Sequence, residues 1–195
     1  MYAYTDFNLG NNNIQCKKLD TKFNFNKFQI FKKALLKYKF TFFNNINLNY
    51  LVICENLKIN NISTAGIPNN KMSTLIFDFG LNELNFERAL HHEIFHMIQS
   101  NYDFTKVNLI WKKFNLEDFE YAGCSTCTNK IDISLRTDLS SFITEYSMSA
   151  IEEDQAEIYS AWMTNNELFD KLFNNNKLVI QKKNILLKFI NNLEF

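Results

Sequence analysis

Residues 92–96 read His92-Glu93-Ile94-Phe95-His96, and this stretch decides how the rest of the chain is read. On a helix, positions four apart lie one turn apart on one face. Both imidazoles then point the same way, with a carboxylate beside them. Two neutral histidines suit a zinc ion, and the glutamate can take a proton from zinc-bound water. The chain has three histidines, and two fall at this spacing. The flanks predict a helix over 82–100. Glu83, Glu87 and Arg88 supply a polar face; Leu84, Leu90, Ile94, Phe95 and Ile98 supply an apolar stripe. No Gly or Pro interrupts the chain between Leu81 and Tyr102. Two ordinary helix histidines would show the same spacing, so the weight falls on partners elsewhere.

A catalytic zinc takes three protein ligands and keeps one position open. A third histidine just downstream is excluded, because Gln99 and Tyr102 stand at the glycine and histidine positions of that longer pattern. His91 lies about 140° around the helix from His96 and cannot easily share its metal. The third ligand is therefore a carboxylate or thiolate from elsewhere. The best candidate is the run Glu152-Glu153-Asp154-Gln155-Ala156-Glu157, which opens an amphipathic helix. Glu153 and Glu157 are one turn apart. One can bind zinc while the other accepts the free ring N–H of a ligating histidine. Without the upstream motif, the same run would read as a solvated acidic helix start. Tyr146, seven residues before Glu153, could donate to an oxyanion, but position alone does not select it from eight tyrosines.

The segment from Tyr146 through Glu152-Glu153-Asp154-Gln155-Ala156-Glu157 resembles the second motif of a zinc-binding metallopeptidase family of the gluzincin type. That motif is a tyrosine, a six-residue gap, then Glu-Asp-x-Ala-Glu. Trp111 to Asn115, followed by Phe119-Glu120-Tyr121-Ala122-Gly123, also resembles the segment that family carries between its motifs. The layout is similar to the catalytic domain of anthrax lethal factor. The resemblance covers roughly residues 75 to 165. It implies His92, His96 and Glu153 as metal ligands for one Zn2+ per chain. It also implies Glu93 as general base, Tyr146 as oxyanion stabiliser and Glu157 as the partner of a ligating histidine. Glu152 precedes Glu153, so a register one residue earlier is the competing assignment. Glu152 is five residues from Glu157, which spoils the one-turn pairing and favours Glu153. Cys124-Ser125-Thr126-Cys127 is an insertion foreign to the family.

The expected function is therefore a zinc-dependent metallopeptidase, an endopeptidase foremost, acting on a peptide or protein substrate. The alternatives are a non-catalytic zinc-binding module on a peptidase scaffold, or a zinc hydrolase of a non-peptide amide or ester. Glu93 and Tyr146 argue against the module, which has no need of either.

At 195 residues the chain reads as one domain, 1–195. Its formal net charge is zero with charges dispersed, which leaves no electrostatic footprint for nucleic acid. No stretch approaches a membrane span. The start lacks a basic region followed by an apolar run, which favours a cytoplasmic over a secreted protein; a mature chain whose leader was removed would read the same. Four cysteines in that setting are expected as free thiols. The Cys124–Cys127 pair could also be a disulfide, a redox pair or half a structural metal site.

The expected fold is α+β: a zincin-like metalloprotease domain with a small mixed sheet, an edge strand beside the H-E-x-x-H helix, and a helical C-terminal half. Helices are expected at 24–39, with Phe28, Phe31, Leu35 and Leu36 on its apolar face, at 82–100, around Trp111 within 105–116, and at 138–149, 151–164, 166–173 and 180–193. Strands are expected at 50–59, 62–67 and 74–79. The 62–67 segment, ended by Pro68, is the candidate edge for an extended peptide. Asn11–Asn13 and Asn174–Asn176 are expected as loops.

Overall fold

The computed structural model describes residues 5–10, 13–19, 25–129 and 131–191. The fold is α+β, and no helix among the described residues is long and apolar enough to cross a membrane. The chain divides into two compact units, Met1–Asn101 and Tyr102–Phe195.

The first unit carries a mixed sheet of six strands. They are β1 (Phe7–Leu9), β2 (Ile14–Lys17), β3 (Tyr50–Ile59), β4 (Ile62–Ser63), β5 (Gly66–Asn69) and β6 (Thr74–Asp78). The order is β1-β2-β3-β6-β5, with β4 paired to β3. β3 and β6 are parallel; the other pairings are antiparallel. β1 and β2 were not anticipated, since three and four residues are too few to show alternation. The expected single strand over 62–67 is two strands. Ile62–Ser63 returns against β3 through a two-residue turn, Asn60-Asn61, with φ of 50° and 67°. Two left-handed residues are what a tight type I′ hairpin needs, and asparagine tolerates them. Gly66–Asn69 then forms the sheet edge against β6 and includes Pro68, a residue that edge strands tolerate.

Three helices belong to this unit: α1 (Phe25–Leu35), α2 (Phe40–Asn45) and α3 (Glu83–Asn101). α1 ends earlier than expected, and residue 24 lies outside the described residues. Leu36 is 71% exposed, and Ala34 takes the buried place instead. The chain turns there: Lys37 and Tyr38 N–H donate to the Ala34 and Leu35 carbonyls. Tyr38 then stacks on Phe42 with ring centroids 4.5 Å apart. Phe31, Phe77, Phe79 and Phe86 form an aromatic cluster with stacked, tilted and edge-to-face contacts, seating the start of α3 on the sheet. α3 packs on α1, β5 and β6. It is buried more completely than its pattern implied. Arg88, expected on the polar face, is buried, and Leu84, expected in the apolar stripe, is 89% exposed in the first turn.

The second unit is helical: α4 (Thr105–Trp111), α5 (Ile151–Thr164), α6 (Asn166–Phe173) and α7 (Lys177–Asn191). α7 begins three residues earlier than expected, and residues 192–193 lie outside the described residues. The expected helix over 138–149 is absent; irregular turns lead to a single 3-10 turn at Tyr146–Met148. Hydroxyls account for this. Ser147 N–H donates to Thr144 Oγ1 at 3.0 Å, and Ser147 Oγ donates to the Thr144 carbonyl at 2.7 Å. Such local bonds draw backbone groups away from a helical ladder. α5 packs against α6, α7 and that 3-10 turn. Asn174–Asn176 form the tight connection between α6 and α7, as expected of a loop; Asn11 and Asn12 lie outside the described residues.

The cysteines are not free thiols. Cys16 pairs with Cys54 and Cys124 with Cys127, leaving no free cysteine. Cys16 and Cys54 join β2 to β3 inside a core cluster with Leu57 and Ile76.

Candidate metal centre

α3 runs unbroken for 19 residues, so His92 and His96 lie one turn apart on one face. Their Nε2 atoms are 3.0 Å from each other, and the rings meet edge to face at 79°. His96 Nδ1 lies 2.7 Å from Gln99 Oε1. That oxygen can only accept, so it holds the His96 proton on Nδ1 and leaves the Nε2 lone pair facing His92. Two nitrogens each about 2.0–2.1 Å from a tetrahedral zinc stand about 3.3 Å apart. The facing pair is thus spaced as two ligands of one metal ion, and the His96 tautomer leaves a lone pair for it. Gln99 went unnoticed in the sequence as a partner, although its i+3 spacing from His96 is a helix-neighbour signal.

His91 is turned elsewhere. Its Nδ1 lies 2.7 Å from the Tyr38 hydroxyl and its Nε2 lies 3.6 Å from Glu87 Oε1. Burial holds its pKa below the usual histidine value, against the raising effect of Glu87, so the ring is neutral near pH 7. It ties α3 to the turn that follows α1 and is no ligand candidate.

Glu93 is buried on α3 at 7% exposure. Its side chain fills the space beside Gly66 of β5: a Cβ added at Gly66 would meet Glu93 Cγ at 2.6 Å and Cδ at 2.8 Å. The edge strand and the carboxylate are therefore in direct apposition. A glycine in a strand, here the first residue of β5 in a chain with four glycines, is consistent with such an approach.

In the second unit, the start of α5 sorts its carboxylates by burial. Glu152 is exposed, Glu153 half-buried, and Asp154 and Glu157 buried. Asp154 was not singled out in the sequence, yet it is the most tightly held. Its Oδ2 accepts from Trp111 Nε1 at 2.7 Å, the Tyr121 hydroxyl at 2.7 Å and Lys182 Nζ at 2.6 Å. Burial pushes the Asp154 pKa up, opposed chiefly by the Lys182 charge. Burial pushes Lys182 down, opposed by Asp154. Burial and then the Asp154 charge push the Tyr121 phenol well above its usual range, so it remains a protonated donor. The Trp111 and Tyr121 of the intervening segment thus have a physical role: both end on the aspartate of the Glu-Asp-x-Ala-Glu run. Tyr146 sits half-buried in the 3-10 turn before α5. Its backbone N–H donates to the Asp132 carbonyl at 3.0 Å, and its carbonyl accepts from Ser149 N–H at 3.0 Å.

His92, His96 and Glu153 form a group that could hold a metal ion. Each offers one ligand atom, and these atoms all lie within 4.8 Å of one another. Glu152 is not part of it, which favours the later register. Tyr146 and Glu157 are not ligands in this group. No protein-family model, no curated protein and no solved structure matches the chain.

Proposed function

We propose that this chain is a zinc-dependent metallopeptidase holding one zinc through His92, His96 and Glu153. The observation that carries the reading is the facing pair of histidine nitrogens, with the tautomer of His96 set by Gln99 and Glu153 in the same group. Bound zinc would supply a Lewis acid that polarises the scissile carbonyl and acidifies a water. Glu93 accepts the proton of the attacking water and passes it to the leaving amine. The Tyr146 hydroxyl donates to the oxygen on which negative charge develops. Glu157 accepts the free ring N–H of a ligating histidine and keeps that ligand in its metal-binding tautomer. An extended peptide adds as a strand along β5, whose Gly66 lies against Glu93.

The test is metal analysis of the purified chain, followed by digestion of a peptide library. Cleavage abolished by a chelator and restored by zinc supports the peptidase. Zinc bound without turnover of peptides favours a binding module or a non-peptide hydrolase. Absence of stoichiometric metal overturns the reading.

A further inference from the structure

We infer that Asp154 is a positioning residue for the metal ligand beside it: its buried carboxylate, tied to Trp111, Tyr121 and Lys182, holds the first turn of α5 so that Glu153 is presented to the metal. The inference rests on the zinc-site reading above and adds a residue to it. Three donors from separate segments converge on Asp154 Oδ2, one from α4, one from the segment after it and one from α7. Lys182 is itself locked, donating to the Ser141 carbonyl at 2.8 Å with its ammonium 4.2 Å from the Phe142 ring centroid. Asp154 Oδ1 is buried with no hydrogen-bond partner.

A half-satisfied buried ion pair is a poor device for stability alone, since well-packed apolar side chains often serve as well or better. Its effect is directional. Glu153 and Asp154 are about 100° apart around the helix. A rotation of α5 that displaced Glu153 would pull Asp154 from all three donors. Ala150, the N-cap of α5, offers no side-chain cap. A first turn without one relies on tertiary bonds such as those of Asp154 to keep a ligand in place.

The experiment measures zinc affinity of the full chain by competition with a chromophoric chelator, below the melting temperature of every variant. The set comprises wild type, D154N, Y121F and, as a destabilised control, F169L in α6. D154N should bind zinc about tenfold or more weakly and Y121F severalfold more weakly, while F169L lowers Tm and leaves zinc affinity unchanged. Y121F removes one peripheral donor and serves if D154N does not fold. Wild-type zinc binding with equal affinity in D154N and Y121F would overturn the inference and leave the metal site standing. Zinc affinity that falls in F169L in step with Tm would also overturn it. No zinc binding by wild type would overturn both readings.

Discussion

Gly66 on the sheet edge and Glu93 on α3 occupy complementary space: the hydrogen of one leaves the room that the carboxylate arm of the other fills, with a notional methyl 2.6 Å from Glu93 Cγ. Gly66 does not have positive φ, so alanine is acceptable to the backbone there, and the nearest atoms that must give way are those of Glu93. Gly66→Ala should therefore fold and keep its zinc while displacing Glu93. Turnover should fall by about a hundredfold, the scale on which a misplacement of about 1 Å acts. A rate equal to wild type, measured with metal content on the same preparation, would mean Glu93 adjusts freely.

Glu93→Gln keeps the shape of the side chain and removes its ability to take a proton. Zinc content and melting temperature should stay near wild type, and turnover should drop by about a hundredfold or more. Peptide cleavage surviving in this variant would eliminate Glu93 as the base.

Glu153→Ala should strip the metal or weaken it sharply, because it deletes one of the three proposed ligands. Glu152→Ala should leave metal content unchanged, since Glu152 is exposed and outside the ligand group. Metal analysis of both variants decides the register; loss in Glu152→Ala alone would move it by one residue.

Tyr146→Phe retains the ring and the backbone bonds of the 3-10 turn and deletes only the hydroxyl. Removal of a single oxyanion donor costs about a hundredfold to a thousandfold in turnover. Zinc content and Tm should hold, and KM should change less than kcat, since the bond is strongest to the charged state. An unchanged kcat would make Tyr146 a packing residue.

The two disulfides should contribute unequally. Cys16–Cys54 closes a sequence separation of 38 residues and Cys124–Cys127 one of 3. Chain-entropy arguments give about 4 kcal/mol for the first and about 2 kcal/mol for the second. The double variant Cys16→Ala/Cys54→Ala should lose more stability than Cys124→Ala/Cys127→Ala in denaturant titrations. Equal losses would show that the short loop depends on its bridge for more than chain closure.

Much of this molecule is legible along the chain. Helical spacing alone puts His92 and His96 on one face, and the one-turn pairing of Glu153 with Glu157 points to the glutamate that lies in the group able to hold a metal ion. Tyr50–Ile59, Ile151–Thr164 and Asn166–Phe173 appear within their expected bounds, because each is a run of strand- or helix-forming residues followed by an asparagine. These are signals carried by neighbours a few residues apart.

What only the tertiary structure decided involves residues far apart in sequence. The helix expected at 138–149 gave way to serine and threonine bonds and to distant partners such as Lys182, which reaches the Ser141 carbonyl. Four cysteines that read as thiols became two pairs, since β2 and β3 bring Cys16 beside Cys54. Asp154, one carboxylate in an acidic run, became the acceptor for a tryptophan, a tyrosine and a lysine from three other segments. Periodicity reports which face a side chain occupies. It cannot report which distant groups meet that face, and burial, hydrogen-bond satisfaction and pKa all depend on that meeting.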